Sequence, residues 1–327
     1  MLGRRTLLSA MAAALVGTTM SAITFTAPVN AQSFPEKPIT LVVGFNAGGG
    51  TDTYARALAG TINDALGMPM VVVNQPGAAG MIAADFVAGQ PADGYTLYMA
   101  SAGSFLVKAL YDGADAAVNP LEDMRILGQI GASIPGLLVP VDSPFESASD
   151  LVAAAQADPD ALRWSHPGRG SLFQLTGVAF LQANGIEVQD VPFQGGSRAR
   201  NAVAGAQVDF GFMGVQLQNG FEAQIRAIGV AGTERDPANP DTPTFAEQGL
   251  PDVPLTNPQM IMAPGDLPDD VAAILAEAIA QTVAGETYGR LVSRAGLSVQ
   301  GADPASARGT LESLQETLIP LVEATRE

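Results

Sequence analysis

The chain has 327 residues, 47% of them apolar, and a formal charge of −17 at pH 7. That length exceeds what one core usually fills, so two α/β domains are expected, and the apolar content excludes bulk disorder. The acidity disfavours nucleic acid and anionic membrane as partners, and the absence of cysteine excludes disulfides, thiolate metal sites, catalytic thiols and a lipid on an N-terminal Cys.

At the start of the chain, Arg4 and Arg5 precede an uncharged stretch rich in Ala, Leu, Val and Thr that runs from Thr6 to Val29. Val29-Asn30-Ala31 supplies the small residues a signal peptidase reads, so removal of residues 1–31 as a signal peptide is expected. Arg4-Arg5-Thr6-Leu7-Leu8 suits the twin-arginine route, although paired arginines also occur in ordinary secretory leaders. An uncleaved anchor is disfavoured by the low Leu and Ile content of the segment and by its Thr and Ser. Losing Arg4 and Arg5 takes the formal charge to −19. A chain this acidic repels a free carboxylate at long range, so any anion site must act through short-range hydrogen bonds at helix N-termini and glycine-rich turns.

The apolar run Ile39 to Phe45 suits a buried parallel strand, and Asn46 to Asp52 follows as a glycine-rich turn. Thr51 and Asp52 can cap a helix whose stripe of Ala55, Leu58, Ala59, Ile62 and Leu66 ends at Gly67. The pattern repeats with a strand at 70–73, a turn at 74–80, a helix at 81–88, a turn at 91–94 and a strand at 95–100. This β-α-β-α-β order is half of a doubly wound sheet, and it places 46–52 and 101–104 side by side at the ligand edge.

After Leu137-Leu138-Val139-Pro140 the grammar recurs, with a helix at 150–157, a strand at 161–165 and a glycine turn at 166–171. Leu172, Leu175, Ala179 and Gln182 stripe the helix that follows. Next come a strand near 188–191, a turn at 192–196, a helix at 197–204 and strands at 208–213 and 227–230. Residues 233–258 read as an irregular return, and 268–284 and 304–325 as helices that pack back on the first domain. The expected fold class is therefore α/β, with two doubly wound sheets joined by a two-crossover hinge near 130–136 and 252–260. Lobe 1 would comprise residues 32–132 plus 256–327, and lobe 2 residues 133–255.

Asn46-Ala47-Gly48-Gly49-Gly50-Thr51-Asp52 lacks the Lys of a Walker loop and the third Gly of a dinucleotide fingerprint. It reads either as a backbone nest for one carboxylate or as a tight turn in which glycine only relieves sterics. His166, the one histidine, would need a nucleophile and an acid to form a triad, and no Gly-x-Ser-x-Gly elbow surrounds Ser165 or Ser171. One His and no Cys speak against a metal, and no cofactor is expected. Arg169 and Arg198 could clamp a second carboxylate or lie solvated on the surface. Phe45, Phe105, Phe173 and Phe193 could form an apolar cleft wall or simply fill the core.

The run from Pro38 to Phe45 leading into Ala47-Gly48-Gly49, then Asp52 and Ala55-Arg56, resembles the opening of the tripartite tricarboxylate transporter receptors, the Bug family of periplasmic solute-binding proteins. The resemblance continues through Asn74 to Gly80, Asp93-Gly94-Tyr95-Thr96-Leu97, Val191 to Gly196 and Gly205 to Asp209, and so covers essentially the whole mature chain. It implies a two-lobed periplasmic binding protein, a type II-like clamshell, that captures a small organic carboxylate and presents it to membrane transporter subunits. The resemblance places the ligand carboxylate on Asn46, Ala47, Gly48, Gly49, Thr51 and Asp52, with Ser101 and Ala102 beside them. From the other lobe it implies His166, Gly168, Gly170, Ser171, Phe193 and Gly195, with Arg169 as a candidate clamp and Asp209 and Met213 as weaker contacts. Phe193-Gln194 stands where the family often has Tyr-Lys, and Asn257-Pro258-Gln259 replaces a commonly aromatic stretch. Two alternatives stay open: a sensing partner of a membrane receptor kinase, and a secreted serine hydrolase using Ser171 and His166. A C4 dicarboxylate, a tricarboxylate and an aromatic acid all fit, and a monomer is the default state.

Overall fold

The computed structural model describes residues 34–251 and 253–325, and the leader expected over 1–31 lies outside them. From its N-terminal side the chain runs through β1 (Ile39–Val43), α1 (Gly50–Ala59), α2 (Asn63–Leu66), β2 (Met70–Asn74), α3 (Met81–Ala88), β3 (Thr96–Ser101), α4 (Ala102–Asp112) and β4 (Met124–Ser133). It continues through β5 (Pro135–Pro140), α5 (Ala148–Ala157), β6 (Arg163–His166), α6 (Leu172–Ala183), β7 (Gln189–Pro192), α7 (Gly196–Ala204), β8 (Phe210–Gly214) and β9 (Ile225–Val230). The last part holds β10 (Asn257–Pro264), α8 (Asp269–Ala284), α9 (Glu286–Arg294) and α10 (Pro304–Ala324).

The strands form two five-stranded sheets, ordered β2-β1-β3-β10-β4 and β7-β6-β8-β5-β9. In each, three neighbouring strands are parallel and the fourth runs antiparallel to both its neighbours, so the expected two-lobed α/β fold is present with mixed rather than all-parallel sheets. The antiparallel strand is in each case the one the chain enters on crossing over: β5 directly after Ser133, and β10 on the return from β9. The first crossing, at Ile134, falls within the first expected hinge segment and is bordered by strand on both sides, whereas the second runs through the largely irregular chain of 231–256 before entering β10 at Asn257.

Local chemistry explains the elements. In β1, Ile39, Leu41, Val42 and Val43 are buried, as a strand hydrogen-bonded on both sides and covered on both faces requires. The strand stops at Val43, short of the expected Phe45, and Gly44 beside it has no room for a side chain: a β-carbon there would stand 2.7 Å from the Gly80 Cα. The stripe of Leu58, Ile62 and Leu66 is buried as expected, yet the helix breaks at Gly60 into α1 and α2 before Gly67 ends it in the left-handed region.

Several elements escaped the sequence pattern, β5 among them. Helix α4 follows β3 without a turn, and Ala102 through Val107 and Ala109 are buried, so its polar face narrows to the ion pair of Lys108 and Asp112, too little to set a period. β4 is interrupted by Gly128 and Gly131, and β10 begins with Asn-Pro and ends in Pro, all of which read as turn signals. Helix α9 buries only Tyr288 and Val292.

Trp164, Phe180, Phe210, Phe212 and Phe245 form the aromatic core of the second lobe, with Phe212 lying 5.5 to 6.2 Å between centroids from Phe180, Trp164 and Phe245. Helix α6 can approach because Gly177 faces the indole: a β-carbon there would come within 2.6 Å of the Trp164 ring. Truncating Phe212→Ala should cost about 3–5 kcal/mol of stability through lost burial and a residual cavity. Urea unfolding followed by the fluorescence of Trp164, the one tryptophan, measures this.

Candidate functional site

The C-terminal ends of the parallel strands of both sheets turn toward one cleft, the position where open α/β sheets hold ligands. From the first lobe come Phe45, Gly49, Gly50 and Thr51 after β1, Ser101 at the end of β3 and Ser133 at the end of β4. From the second come Pro167, Phe173, Gly196, Gly214, Gln216 and Leu217. Helices α1 and α7 start there, and their N-termini face each other: a β-carbon on Gly49 would stand 3.8 Å from the backbone N of both Gly196 and Ser197. Among the described residues no acceptor takes the N–H groups of Gly50 and Thr51 in α1, or of Gly196 and Ser197 in α7.

The first loop is held from within. Asp52, 2% exposed, accepts from the Gly48 N–H at 2.8 Å, from Arg56 Nε at 2.9 Å and from Asn74 Nδ2 at 2.9 Å. Asn74 Nδ2 also donates to the Phe45 carbonyl at 3.0 Å. Gly48 takes φ of +78°, which its lack of a side chain permits. Asp52 therefore shapes the loop, and the Gly48 N–H expected for the ligand is already used. The lobes touch directly here: Asn46 Nδ2 donates to the Gln194 carbonyl at 2.6 Å, and Ser197 Oγ to the Ala47 carbonyl at 3.0 Å. Gly195 lies beside this contact, with φ of +128° and its β-carbon position 3.2 Å from the Asn46 N.

A buried polar knot underlies the neighbouring loop. Asn257 Nδ2 donates to Ser101 Oγ at 2.7 Å, Asn257 Oδ1 accepts from the Gly103 N–H at 3.1 Å, and Ser104 Oγ accepts from the Leu172 N–H at 3.2 Å. The knot ties β3, α4 and β10 of the first lobe to the start of α6, and Ala102 is buried inside it.

His166 is fully buried and fully engaged. Nε2 lies 2.9 Å from Asp190 Oδ2, and Nδ1 accepts from the Gly168 N–H at 3.2 Å, which assigns the proton to Nε2. Arg169 Nη2 and Gln174 Nε2 also donate to Asp190, at 3.1 and 3.3 Å, while Gln174 Oε1 accepts from the Gly170 N–H at 2.6 Å. Ser171 Oγ caps α6 by accepting from the Gln174 N–H. With both imidazole nitrogens committed and Ser171 serving as a cap, the hydrolase alternative has no general base.

Between the lobes, the inner niche encloses about 30 Å3, space for one or two waters. Phe45 and Pro167 separate it from an outer chamber of about 370 Å3, lined by Gly77, Ala78, Ala79, Lys108, Gly168, Arg169, Phe193 and Gln194 among others. Of the expected residues, Gly49, Thr51 and Ser101 line the niche, and Gly168, Arg169 and Phe193 line the chamber. Asn46, Ala47, Gly48, Asp52, Ala102, His166, Gly170, Ser171 and Gly195 line neither and frame the loops instead. Met213 is a correction: it is fully buried in a core cluster with Ala202 and Val203 of α7 and lines neither the niche nor the chamber. Phe45 and Phe173 belong to the niche wall, Phe105 to the core against Tyr98, and Arg198 is exposed. Gln216, Ser133 and Lys108 carried no signal in the sequence. Among the described residues no group of three or more His, Cys, Asp or Glu could hold a metal ion.

The His166 hydrogen bond holds the Asp190 carboxyl below the usual carboxylate range, against the opposing effect of burial and with help from the Arg169 guanidinium. A depressed folded-state value means the stabilisation is present above about pH 4, the unfolded value, and is lost as pH falls through the lower folded one. Asp190→Asn should therefore lower the melting temperature at pH 6, with the gap from the unsubstituted protein closing in acid below pH ~4. A melting-temperature series against pH measures the gap.

Comparison with known proteins places this geometry. Residues 54–316 match the family model described as tripartite tricarboxylate transporter family receptor. The chain is 30% identical to the protein BugT of Bordetella pertussis over 301 residues, 90% of this chain and 91% of that one. Its fold matches a structure of the periplasmic binding protein BugD with a TM-score of 0.82 at 26% identity, covering 90% of this chain and 98% of that one. MatC of Rhodopseudomonas palustris with bound malate matches with a TM-score of 0.82 at 27% identity, covering 88% of this chain and all of that one. Such relatives are periplasmic solute-binding receptors rather than enzymes, and among the described residues no helix is long and apolar enough to cross a membrane. This chain belongs to the tripartite tricarboxylate transporter receptor family.

Proposed function

We propose that this protein is exported to the periplasm with loss of residues 1–31, captures a small organic carboxylate in the cleft between its lobes, and delivers it to the membrane subunits of a tripartite tricarboxylate-type transporter. Residues 32–132 with 256–327 act as one lobe and 133–255 as the other, and the chain works as a monomer. The observation that carries this reading is the pair of opposed helix N-termini, α1 and α7, whose free N–H groups border the niche from opposite lobes. Each helix start adds partial positive charge and unsatisfied donors, so together they suit the two oxygens of a carboxylate. The carboxylate takes the place of the waters the niche can hold, and the rest of the ligand extends past Phe45 and Pro167 into the outer chamber.

An anion that bridges α1 and α7 binds the closed arrangement better than any open one, because only closure brings the second set of donors into reach. Binding then shifts the population toward the closed form by that differential affinity, and the closed surface is what a transporter subunit reads. The malate bound to MatC supports a carboxylate as the ligand class.

Thermal unfolding against a panel of organic acids tests the reading. A ligand at a hundred times its Kd adds about 2.7 kcal/mol and raises the melting temperature. Gly49 has φ of −86°, which any residue can adopt, so Gly49→Leu should fold normally while its side chain enters the gap between the helix ends. The melting shift should then disappear with unchanged circular dichroism. Retained binding in Gly49→Leu, or no shift with any acid, would sink the proposed site.

A further inference from the structure

Gln216 lines the niche, and the carboxylate reading leaves its amide unused. It follows β8 directly, beside the first crossover, where the Val215 N–H donates to the Ile134 carbonyl at 3.0 Å. Its side chain reaches across the cleft to the first turn of α1. Nε2 lies 2.4 Å from where a β-carbon on Gly50 would stand, and equally close to that position on Gly214. Two glycines, one from each lobe, thus make room for this amide. Gln216 is 6% exposed, and its Oε1 is buried with no hydrogen-bond partner.

A buried side-chain oxygen without a donor is rare in folded proteins, and on a residue that lines a ligand niche it points to a donor that the ligand brings. A carboxylate has acceptors only, so it satisfies the helix N–H groups and Nε2 but leaves Oε1 unpaired. The missing donor must sit within a bond or two of the carboxylate, because the niche is small. An ammonium group would supply it, but would place a cation against two helix N-termini that already carry partial positive charge. A hydroxyl supplies the donor without that conflict.

We propose that Gln216 is a specificity-determining residue and that the ligand is a 2-hydroxy carboxylate, its hydroxyl donating to Gln216 Oε1 while its carboxylate bridges α1 and α7. This rests on the carboxylate reading above and narrows it. A site built to pair a buried polar group discriminates against the analogue that lacks the partner far more strongly than an apolar pocket discriminates a methylene.

The test is isothermal titration of the mature chain with acid pairs that differ only in the hydroxyl: malate and succinate, citrate and tricarballylate, mandelate and phenylacetate, with aspartate as the ammonium counterpart of malate. In the pair that binds, the hydroxy acid should bind about ten- to a hundred-fold tighter. Gln216→Met should reduce that ratio to within about three-fold while leaving the melting temperature of the ligand-free protein unchanged or raised, since it removes an unpaired buried acceptor. A purely structural Gln216 would instead lower the melting temperature and keep the ratio. Equal affinity within a pair, tighter binding of aspartate than malate, or a preference that survives Gln216→Met overturns the inference and leaves the carboxylate reading standing. Binding of no acid at all overturns that reading and this one together. The ratio on the unsubstituted protein decides by itself should Gln216→Met not fold.

Discussion

An acidic protein that holds an anion must do so with positive potential that its own carboxylates do not cancel. Three side-chain cations near the cleft are paired with acids of this chain, Arg56 with Asp52, Arg169 with Asp190 and Lys108 with Asp112, while Arg198 in the first turn of α7 is exposed. The backbone supplies donors of another kind. The N–H groups at the starts of α1 and α7 are fixed in place, carry no counterion and cannot be neutralised by a nearby Asp without burying it. Their effect is short in range, so it survives a net charge of −17 that disfavours free anions farther out.

Such a site works only if the loops bearing those groups are stiff before the ligand arrives, and the polar side chains around the cleft serve that end. Asp52, Asn74 and Arg56 lock the turn after β1; Ser101, Ser104 and Asn257 lock the junction of β3 with α4; His166, Asp190 and Gln174 lock the turn after β6. Each group spends its hydrogen bonds on the scaffold, which keeps the ordering cost of binding small. Residues of the kind usually taken for ligand contacts or catalysts, such as Asp52, His166 and Ser171, are thereby structural. The lobes also contact each other directly, through Asn46 to Gln194 and Ser197 to Ala47 and, in the interior, through the Leu172 N–H to Ser104 Oγ and Asn239 to Gly296.

Much of this architecture was legible along the chain. The apolar runs of β1 and β3, the glycine turns after them and the stripes of α6, α8 and α10 follow from local periodicity, because each buries a face whose pattern is set within a dozen residues. What escaped were α4, buried nearly all round, and β4 and β10, whose glycines and prolines look like turns until the pairing of Asn257 with Ser133 and of Met262 with Ile126 is seen. The mixed character of the sheets escaped for the same reason, since strand direction in a sheet is set by partners far away in sequence.

By itself the sequence determined an acidic, cysteine-free chain with two repeats of α/β grammar, glycine turns at strand ends and a family resemblance, because composition, period and turn chemistry are local properties. Only the tertiary structure decided which glycine-turn residues face the cleft and which brace it. It placed Met213 in the core, set Gly49 opposite Gly196, and brought the Gln216 amide to Gly50. A Gln after a strand has no local mark that separates it from a surface residue. Its neighbour across the cleft comes from the other sheet, and only the packing of the two lobes brings them together.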